Sequence, residues 1–282
     1  KPGNWGDNPK KDLSDKRNTT LNEANQIQNI CWYYGLAPRV YGMIKVKWSG
    51  VFGRDETKHI KDRICEAQIT DDLGSNYQTD KEADDIYEKI VALGKDYGWK
   101  PNYKEIKAMD CIGGKFLDFQ VFNLCDDYKE RIKKKYIEYC TYGKKYYHNV
   151  PEFDLNGCPR ENENRIKWLG LDKIEFKGKY CLDFGCAGGW FTRHMDTKGG
   201  FVDGIDKSGI GSANPILGTF LVNNYLKHFN IDLFEHDLKR GDGNKLVERY
   251  KGYDIALFLS MTFHVGVPNW LNKVAKLVIV ED

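Results

Sequence analysis

Lys179-Tyr-Cys-Leu-Asp-Phe-Gly-Cys-Ala-Gly-Gly189 is the stretch whose reading decides the fold of the C-terminal half. Tyr180 to Phe184 is a short apolar run, expected as a buried strand, and Trp190 to Met195 is expected as a helix. Gly185, Gly188 and Gly189 fall between them. A strand, a glycine-rich turn and a helix N-terminus together make a common cofactor cradle. Glycine has no Cβ, so backbone there can approach a ligand closely. The spacing is Gly-x-x-Gly-Gly, not the Gly-x-Gly-x-x-Gly of a dinucleotide site. A pyrophosphate needs that tighter turn over the helix end, whereas a ligand without phosphate tolerates a looser one.

Working outward, the next strand is Phe201 to Ile205, and it ends at Asp206. In such folds a carboxylate at the end of the second strand, about 20 residues after the loop, accepts hydrogen bonds from ribose hydroxyls. Asp206 fits that place, and Asp203, at mid-strand, fits less well. A helix is expected over Asn214 to His228, then a strand, Ile231 to Glu235, ending at His236-Asp237. A helix Lys245 to Tyr250, a strand Asp254 to Ser260, a loop Met261 to Pro268, a helix from Asn269 and a strand Leu277 to Val280 follow. This alternation builds an α/β fold, a parallel sheet with helices on both faces.

The run from Phe176 to Val280 resembles the class I S-adenosylmethionine (SAM) methyltransferases, whose sheet is Rossmann-like. Leu182-Asp-Phe-Gly-Cys-Ala-Gly-Gly189 is similar to the family's first motif, and Gly204-Ile-Asp-Lys-Ser208 to its second-strand acid. His236-Asp237-Leu238 resembles its adenine-side acid, and Tyr253 to Ser260 its fourth strand. The resemblance implies SAM or S-adenosylhomocysteine as cofactor. Asp183 and Gly185 would line its methionine part, with Cys186, Ala187, Gly188, Gly189 and Trp190 completing the turn. Asp206 would bind ribose, Asp237 would sit by adenine, and Ser260 would close the fourth strand. Second readings stay open: Asp183 as a cap for the turn, Asp237 as a surface residue, and Gly188 and Gly189 as packing positions.

Ahead of the first strand, Tyr147-His-Asn-Val-Pro151, Arg160 and Arg165 resemble a lead-in whose Tyr and Arg reach the cofactor carboxylate or the substrate. Guanidinium suits a carboxylate because it makes paired hydrogen bonds. An arm packed on the sheet edge is the other reading. His264 follows the fourth strand and is the candidate general base for an acceptor hydroxyl or amine, against a loop histidine bonded to backbone. The Asn-Pro-Pro-Tyr signature of amino-directed DNA and protein methyltransferases is absent, which favours oxygen or small-molecule acceptors, a glycan among them. Methyl transfer is thus the expected activity. A non-catalytic SAM-binding module and an RNA-modifying methyltransferase are the alternatives. Family members continue past the fifth strand with a helix and two strands. The chain therefore reads as a fragment, or as a fold whose exposed fifth-strand edge is covered by the N-terminal lobe.

Residues 1–20 are polar and expected as a flexible arm. Residues 21–125 read as an α+β lobe: a helix Leu21 to Tyr34, strands Val40 to Trp48 and Ile64 to Thr70, a helix Lys81 to Tyr97, and a strand pair Tyr103 to Met109 with Lys115 to Phe122. This lobe faintly resembles a degenerate kinase-like phosphotransferase, with Gly114-Lys-Phe-Leu-Asp-Phe119 in place of the metal-binding segment and Asp118 as its acid. It lacks the glycine-rich loop, strand Lys and His-Arg-Asp that hold metal and phosphates. Residues 126–162 read as a basic helix and connector, and 163–282 as the SAM-binding domain. The basic stretch 129–145 carries Lys129, Arg131, Lys133, Lys134, Lys135, Lys144 and Lys145 among tyrosines. It is either a single-stranded nucleic-acid surface or a solvated helix face with its tyrosines inward.

The net charge of +2 leaves no global field for nucleic acid or membrane. No apolar run reaches the ~18 residues of a membrane span. The 8 cysteines include no Cys-x-x-Cys pair, so no metal site is expected, and they suit reduced thiols in the cytoplasm.

Overall fold

The computed structural model describes residues 20–48, 63–73, 78–101, 111–117, 119–142, 145–146, 148–158, 161–207, 214–236, 248–266 and 269–281. The expected strand 103–109 and residues Asp118, Tyr147, Arg160 and Asp237 lie outside them, as does the arm up to residue 19. The chain divides into two units, one of residues 1–95 and 99–125, the other of 96–98 and 126–282.

In the first unit, helix α1 (Leu21–Tyr33) starts at a capping box. The Thr20 hydroxyl accepts from the Glu23 N–H at 3.2 Å, and the Glu23 carboxylate accepts from the Thr20 N–H at 2.8 Å. Strands β1 (Val40–Trp48) and β2 (Arg63–Thr70) pair antiparallel. Helix α2 (Asp80–Tyr97) leads to β3 (Trp99–Pro101), β4 (Cys111–Ile112), β5 (Lys115–Phe116) and β6 (Phe122–Leu124). β4 pairs with β5, and β3 with β6. The expected continuous strand 115–122 is therefore broken by a 3-10 turn at Phe119–Val121. Phe116, Phe119 and Phe122 are all buried, and their rings meet at 5.2–6.0 Å. A spacing of three cannot face one side of an extended strand, whose side chains alternate, so the backbone turns to bury all three.

In the second unit, α3 (Tyr128–Cys140) buries Tyr128, Ile132, Tyr136 and Cys140, one residue per turn along a single face. A small hairpin, β7 (Thr141–Tyr142) with β8 (Lys145–Tyr146), and α4 (Asn162–Trp168) follow. Then come β9 (Tyr180–Phe184), α5 (Trp190–Thr197), β10 (Phe201–Asp206), α6 (Pro215–Tyr225), β11 (Asp232–Glu235), β12 (Tyr253–Leu259) and β13 (Ala275–Glu281). The segment expected as a loop after β12 contains a short helix, Thr262–Val265, because a few residues there suffice for one turn before Gly266 ends it. A second short helix, Leu271–Val274, precedes β13.

The last five strands form one parallel sheet in the order β11-β10-β9-β12-β13. Its strands alternate between two cores. Cys181, Val202, Ile255, Leu257 and Leu259 join one, with Phe191 and Met195 of α5. Leu182, Phe184, Ile205, Ala256 and Phe258 join the other, with Leu271 and Val274. Burial on both faces is why these strands read as near-continuous apolar runs. Helix α6 is buried on almost every side, lying between the sheet and α3. The chain builds outward from β9 to one edge and then returns to its other side at β12. The carboxyl ends of β9 and β12 thus form the topological switch point, where open α/β sheets bind ligands.

Gly189 has φ +68°, and a Cβ there would lie 2.5 Å from the Thr219 methyl and 3.0 Å from Arg193 Nη1. Gly178 has φ +69° with open space around it. Gly178→Ala is expected to cost about 1 kcal/mol, the left-handed penalty alone. Gly189→Ala adds overpacking and should cost about 3 kcal/mol. Urea denaturation of both variants checks this, and equal losses would show that packing does not set the need for glycine at 189.

Candidate functional site

The glycine turn is fastened to the end of β10. The Ile205 carbonyl accepts from the N–H groups of Gly185 at 2.8 Å and Cys186 at 3.0 Å. Asp206, next in sequence, holds the turn with its side chain. Oδ2 accepts from the Ala187 N–H at 2.8 Å, and Oδ1 from the Lys207 N–H at 2.8 Å. The Asp206 carbonyl accepts from the His236 N–H at 2.8 Å, so the ends of β10 and β11 are also tied. Sequence reasoning brings Asp206 to the turn, but its first duty here is to backbone rather than to a ribose. A carboxylate offers about four acceptor sites, so these two bonds do not exhaust it.

Each glycine has its own neighbour. A Cβ on Gly188 would lie 2.7 Å from the Tyr136 hydroxyl and 3.4 Å from the His148 ring. With Gly189 closed by Thr219 and Arg193, both positions require glycine because side chains of this chain fill the space. That is what the packing reading of Gly188 and Gly189 requires. Gly185 differs, because its Cβ direction is covered by the thioether end of Met261, a flexible side chain. Arg193, buried on α5, donates to the Gly188 carbonyl at 2.8 Å and to Asn223 Oδ1 at 3.0 Å, which clamps the far side of the turn.

Asp183 lies in β9 in register with Gly204 of β10 and is only 3% exposed. Its Oδ2 accepts no hydrogen bond in the structure. Burial pushes this carboxyl up to about 8; the nearby Asp206 charge adds to the rise and Arg165 opposes it. The turn-capping reading of Asp183 would need a hydrogen bond from the turn, and the turn's Ala187 N–H goes to Asp206 instead.

Arg165, on α4, reaches the same end of the sheet. Its Nε donates to Glu281 Oε1 at 2.8 Å and its Nη2 donates to Glu281 Oε2, the two-pronged geometry that matches guanidinium to carboxylate. Nη2 also lies 3.4 Å from the Ser260 hydroxyl, Nη1 lies 3.4 Å from Asn162 Oδ1, and the guanidinium stands 4.8 Å over the Phe191 ring. Ser260 has φ +56°, an uncommon conformation for a residue with a Cβ. Its hydroxyl donates to Glu281 at 2.9 Å and its N–H to the Glu281 carbonyl at 3.2 Å. His148, buried, meets Asn162 at 2.9 Å through Nδ1. Of these, Glu281, Asn162, Arg193 and Met261 escape sequence reasoning. The usable signal for Glu281 was an acid ending an apolar strand, opposite an Arg on a short helix.

His264 falls on the short helix after β12, and its side chain lies outside what is described. Trp190 opens α5, with its ring stacked on His194. On α3, Lys129 faces Asp154, Arg131 faces Asp127, Lys133 faces Glu130 and Lys135 faces Glu138, at 2.8–3.8 Å. Four of the helix's five cations thus face an acid, over the buried Tyr128 and Tyr136. Among the described residues no group of three or more His, Cys, Asp or Glu is placed to hold a metal, and no helix is long and apolar enough to cross a membrane.

No protein-family model matches the chain, and no curated protein sequence matches it. Solved structures to which it is similar include the bifunctional kinase-methyltransferase WbdD, at 18% identity over 53% of this chain and 33% of that one, with a TM-score of 0.38. Magnesium protoporphyrin IX methyltransferase from Synechocystis PCC 6803 with bound S-adenosylhomocysteine is similar at 20% identity over 36% and 42% of the two chains, with a TM-score of 0.27. An S-adenosylmethionine dependent methyltransferase from Mesorhizobium loti follows at 21% identity over 33% and 37%, with a TM-score of 0.23. The matched stretch spans about a third of the WbdD chain. With TM-scores this low, these likenesses carry no weight in the functional reading.

Two outcomes are expected. Between about pH 4, the unfolded value, and about pH 8 the folded chain keeps an Asp183 proton that the unfolded chain has released, so stability falls as pH rises. Asp183→Asn abolishes that term, and its advantage over wild type in urea titrations should grow with pH across this window and level off above it. Arg165→Met leaves Glu281 unpaired and should cost about 3 kcal/mol, the low end for a buried pair because Glu281 keeps some solvent. Arg165→Met with Glu281→Leu should regain most of that loss in the same assay.

Proposed function

We propose that the second unit binds SAM at the carboxyl ends of β9, β10 and β12 and transfers its methyl group to an oxygen or nitrogen nucleophile of a small molecule or glycan. One observation carries the reading. At the switch point of a parallel sheet, a glycine turn is held by the carboxylate ending the second strand, and a second carboxylate with an unpartnered oxygen is buried beside it.

The residues fit such a ligand. Asp183 Oδ2 is an orphaned buried acceptor, of the kind that a cationic group would satisfy. Asp206 stands at the strand end where ribose hydroxyls are accepted in folds of this kind. Gly185 presents backbone whose Cβ direction is covered by the movable Met261 side chain rather than by backbone. When bound, SAM supplies an electrophilic methyl carbon on a sulfonium.

The chain's own residues contribute mainly position. The turn, Asp206 and Arg193 fix the backbone against which the nucleoside rests, and holding reactants in register is itself a large part of a transfer barrier. His264, on the short helix after β12, is assigned the acceptor's proton. The missing Asn-Pro-Pro-Tyr signature supports an acceptor other than the amino groups of DNA bases or protein amides.

S-adenosylhomocysteine is expected to bind the full chain with a dissociation constant on the order of micromolar. Asp206→Ala should weaken binding by at least about tenfold, a loss of about 1.4 kcal/mol or more. Calorimetry checks both, and wild-type chain that stays silent with SAM and S-adenosylhomocysteine would sink the reading.

A further inference from the structure

Most of the glycine turn is closed off by the chain itself. Cys186, Ala187, Gly188 and Gly189 are buried, whereas Gly185 is half-buried. Gly188 lies against Tyr136 and His148, and Gly189 against Thr219, Arg193 and Thr192. Gly185 is thus the residue of the turn that solvent reaches, and one side chain lies over it. A Cβ on Gly185 would stand 2.9 Å from Met261 Cγ and 3.5 Å from Met261 Cε, with the sulfur nearer still.

Met261 is itself half-buried, and its backbone is held on both sides. On one side Ser260 donates its N–H to the Glu281 carbonyl at 3.2 Å and its hydroxyl to the Glu281 carboxylate at 2.9 Å. On the other, the Met261 carbonyl accepts from the Val265 N–H at 3.0 Å, closing the short helix Thr262–Val265. Movement is therefore confined to the side chain, which is unbranched and has several low-cost rotamers. Apolar contact holds it, because Met261 packs against the core that contains Phe184 and Phe258.

We propose that Met261 is an autoinhibitory plug: in the free protein its thioether takes the place over Gly185 that a ligand must occupy, and binding swings the side chain away while the backbone stays. The inference rests on the SAM-site reading and adds what closes that site when it is empty. A ligand has to recover the apolar contact that the thioether gives up, so the plug lowers the affinity of anything that seats on Gly185. A residue that merely lined the site would do the opposite, since its contacts with the ligand would raise affinity.

Calorimetry of the full chain with S-adenosylhomocysteine compares wild type with Met261→Ala. Uncovering Gly185 should tighten binding about fivefold, the factor for re-exposing roughly half of a methionine side chain. A second measurement needs no ligand. Gly185→Ala forces the thioether aside, because the new methyl would overlap it. In urea titrations that substitution should cost more in wild type than in Met261→Ala, where the left-handed strain alone remains. Expressed as a ratio of equilibrium constants, the difference should match the gain in affinity to within about threefold. A third measurement uses wild type alone and so survives a variant that does not fold. The nuclear Overhauser contact between the Met261 methyl and the Gly185 α-protons should be present in the free chain and lost with S-adenosylhomocysteine bound. Equal or weaker binding by Met261→Ala, equal costs of Gly185→Ala in the two backgrounds, or a contact that persists in the bound chain overturns the plug and leaves the cofactor reading intact. No heat from either wild type or Met261→Ala overturns the cofactor reading and the plug with it.

Discussion

The Ile205 carbonyl and the Asp206 carboxylate together accept three N–H groups from the turn that follows β9. An ordinary intramolecular hydrogen bond contributes about 1 kcal/mol net, and one to a charged acceptor somewhat more. The larger effect is geometric. These bonds join consecutive residues of β10 to consecutive residues of the turn, so the turn cannot slide without losing all three. Every other feature of the site is placed relative to that joint. The left-handed conformations at Gly185, Gly188 and Gly189 are the path the backbone must take to present its N–H groups to β10. Arg193 then holds the turn from behind, through the Gly188 carbonyl.

Around this joint the protein handles charge in two ways. Asp206 is solvated by backbone and is part of the scaffold. Arg165 and Glu281 are solvated by one another, and their pairing fixes the ends of α4 and β13 at the switch point. Asp183 is left without an internal donor at one oxygen. Perturbed carboxylates of this sort cluster at functional sites.

The parallel sheet is legible in the sequence because its central strands β9 and β12 are apolar runs buried on both faces. Asp206 is visible as the acid that ends β10, and Asp183 as an acid inside an apolar run. What separates them is not, since hydrogen-bond satisfaction depends on which N–H groups the folded turn presents. The reason for Gly188 and Gly189 is hidden in the same way: Tyr136, His148 and Thr219 reach the turn from elements far away in the chain. In the first unit, the apolar content of 115–122 suggests one strand, while the three-residue spacing of Phe116, Phe119 and Phe122 carries the break that the fold shows. The cations of α3 read as a possible nucleic-acid face until their acidic neighbours, one helical turn away for Arg131, Lys133 and Lys135, are paired with them.

Ser260 connects the charge network to the turn. Its left-handed backbone is of the kind that costs about 1 kcal/mol or more for a residue with a Cβ, and such residues persist where surrounding bonds over-determine them. Here the bonds are those to Glu281, which is in turn held by Arg165. The next residue, Met261, lays its thioether over Gly185. Methionine is unbranched and has low-cost alternative rotamers, so a side chain that covers the glycine can move while the backbone carrying it stays fixed. The ion pair thus sets where the cover is anchored and leaves the cover itself adjustable. A rigid frame with one adjustable apolar side chain over the glycine turn lets a ligand reach the Gly185 backbone by displacing that side chain alone.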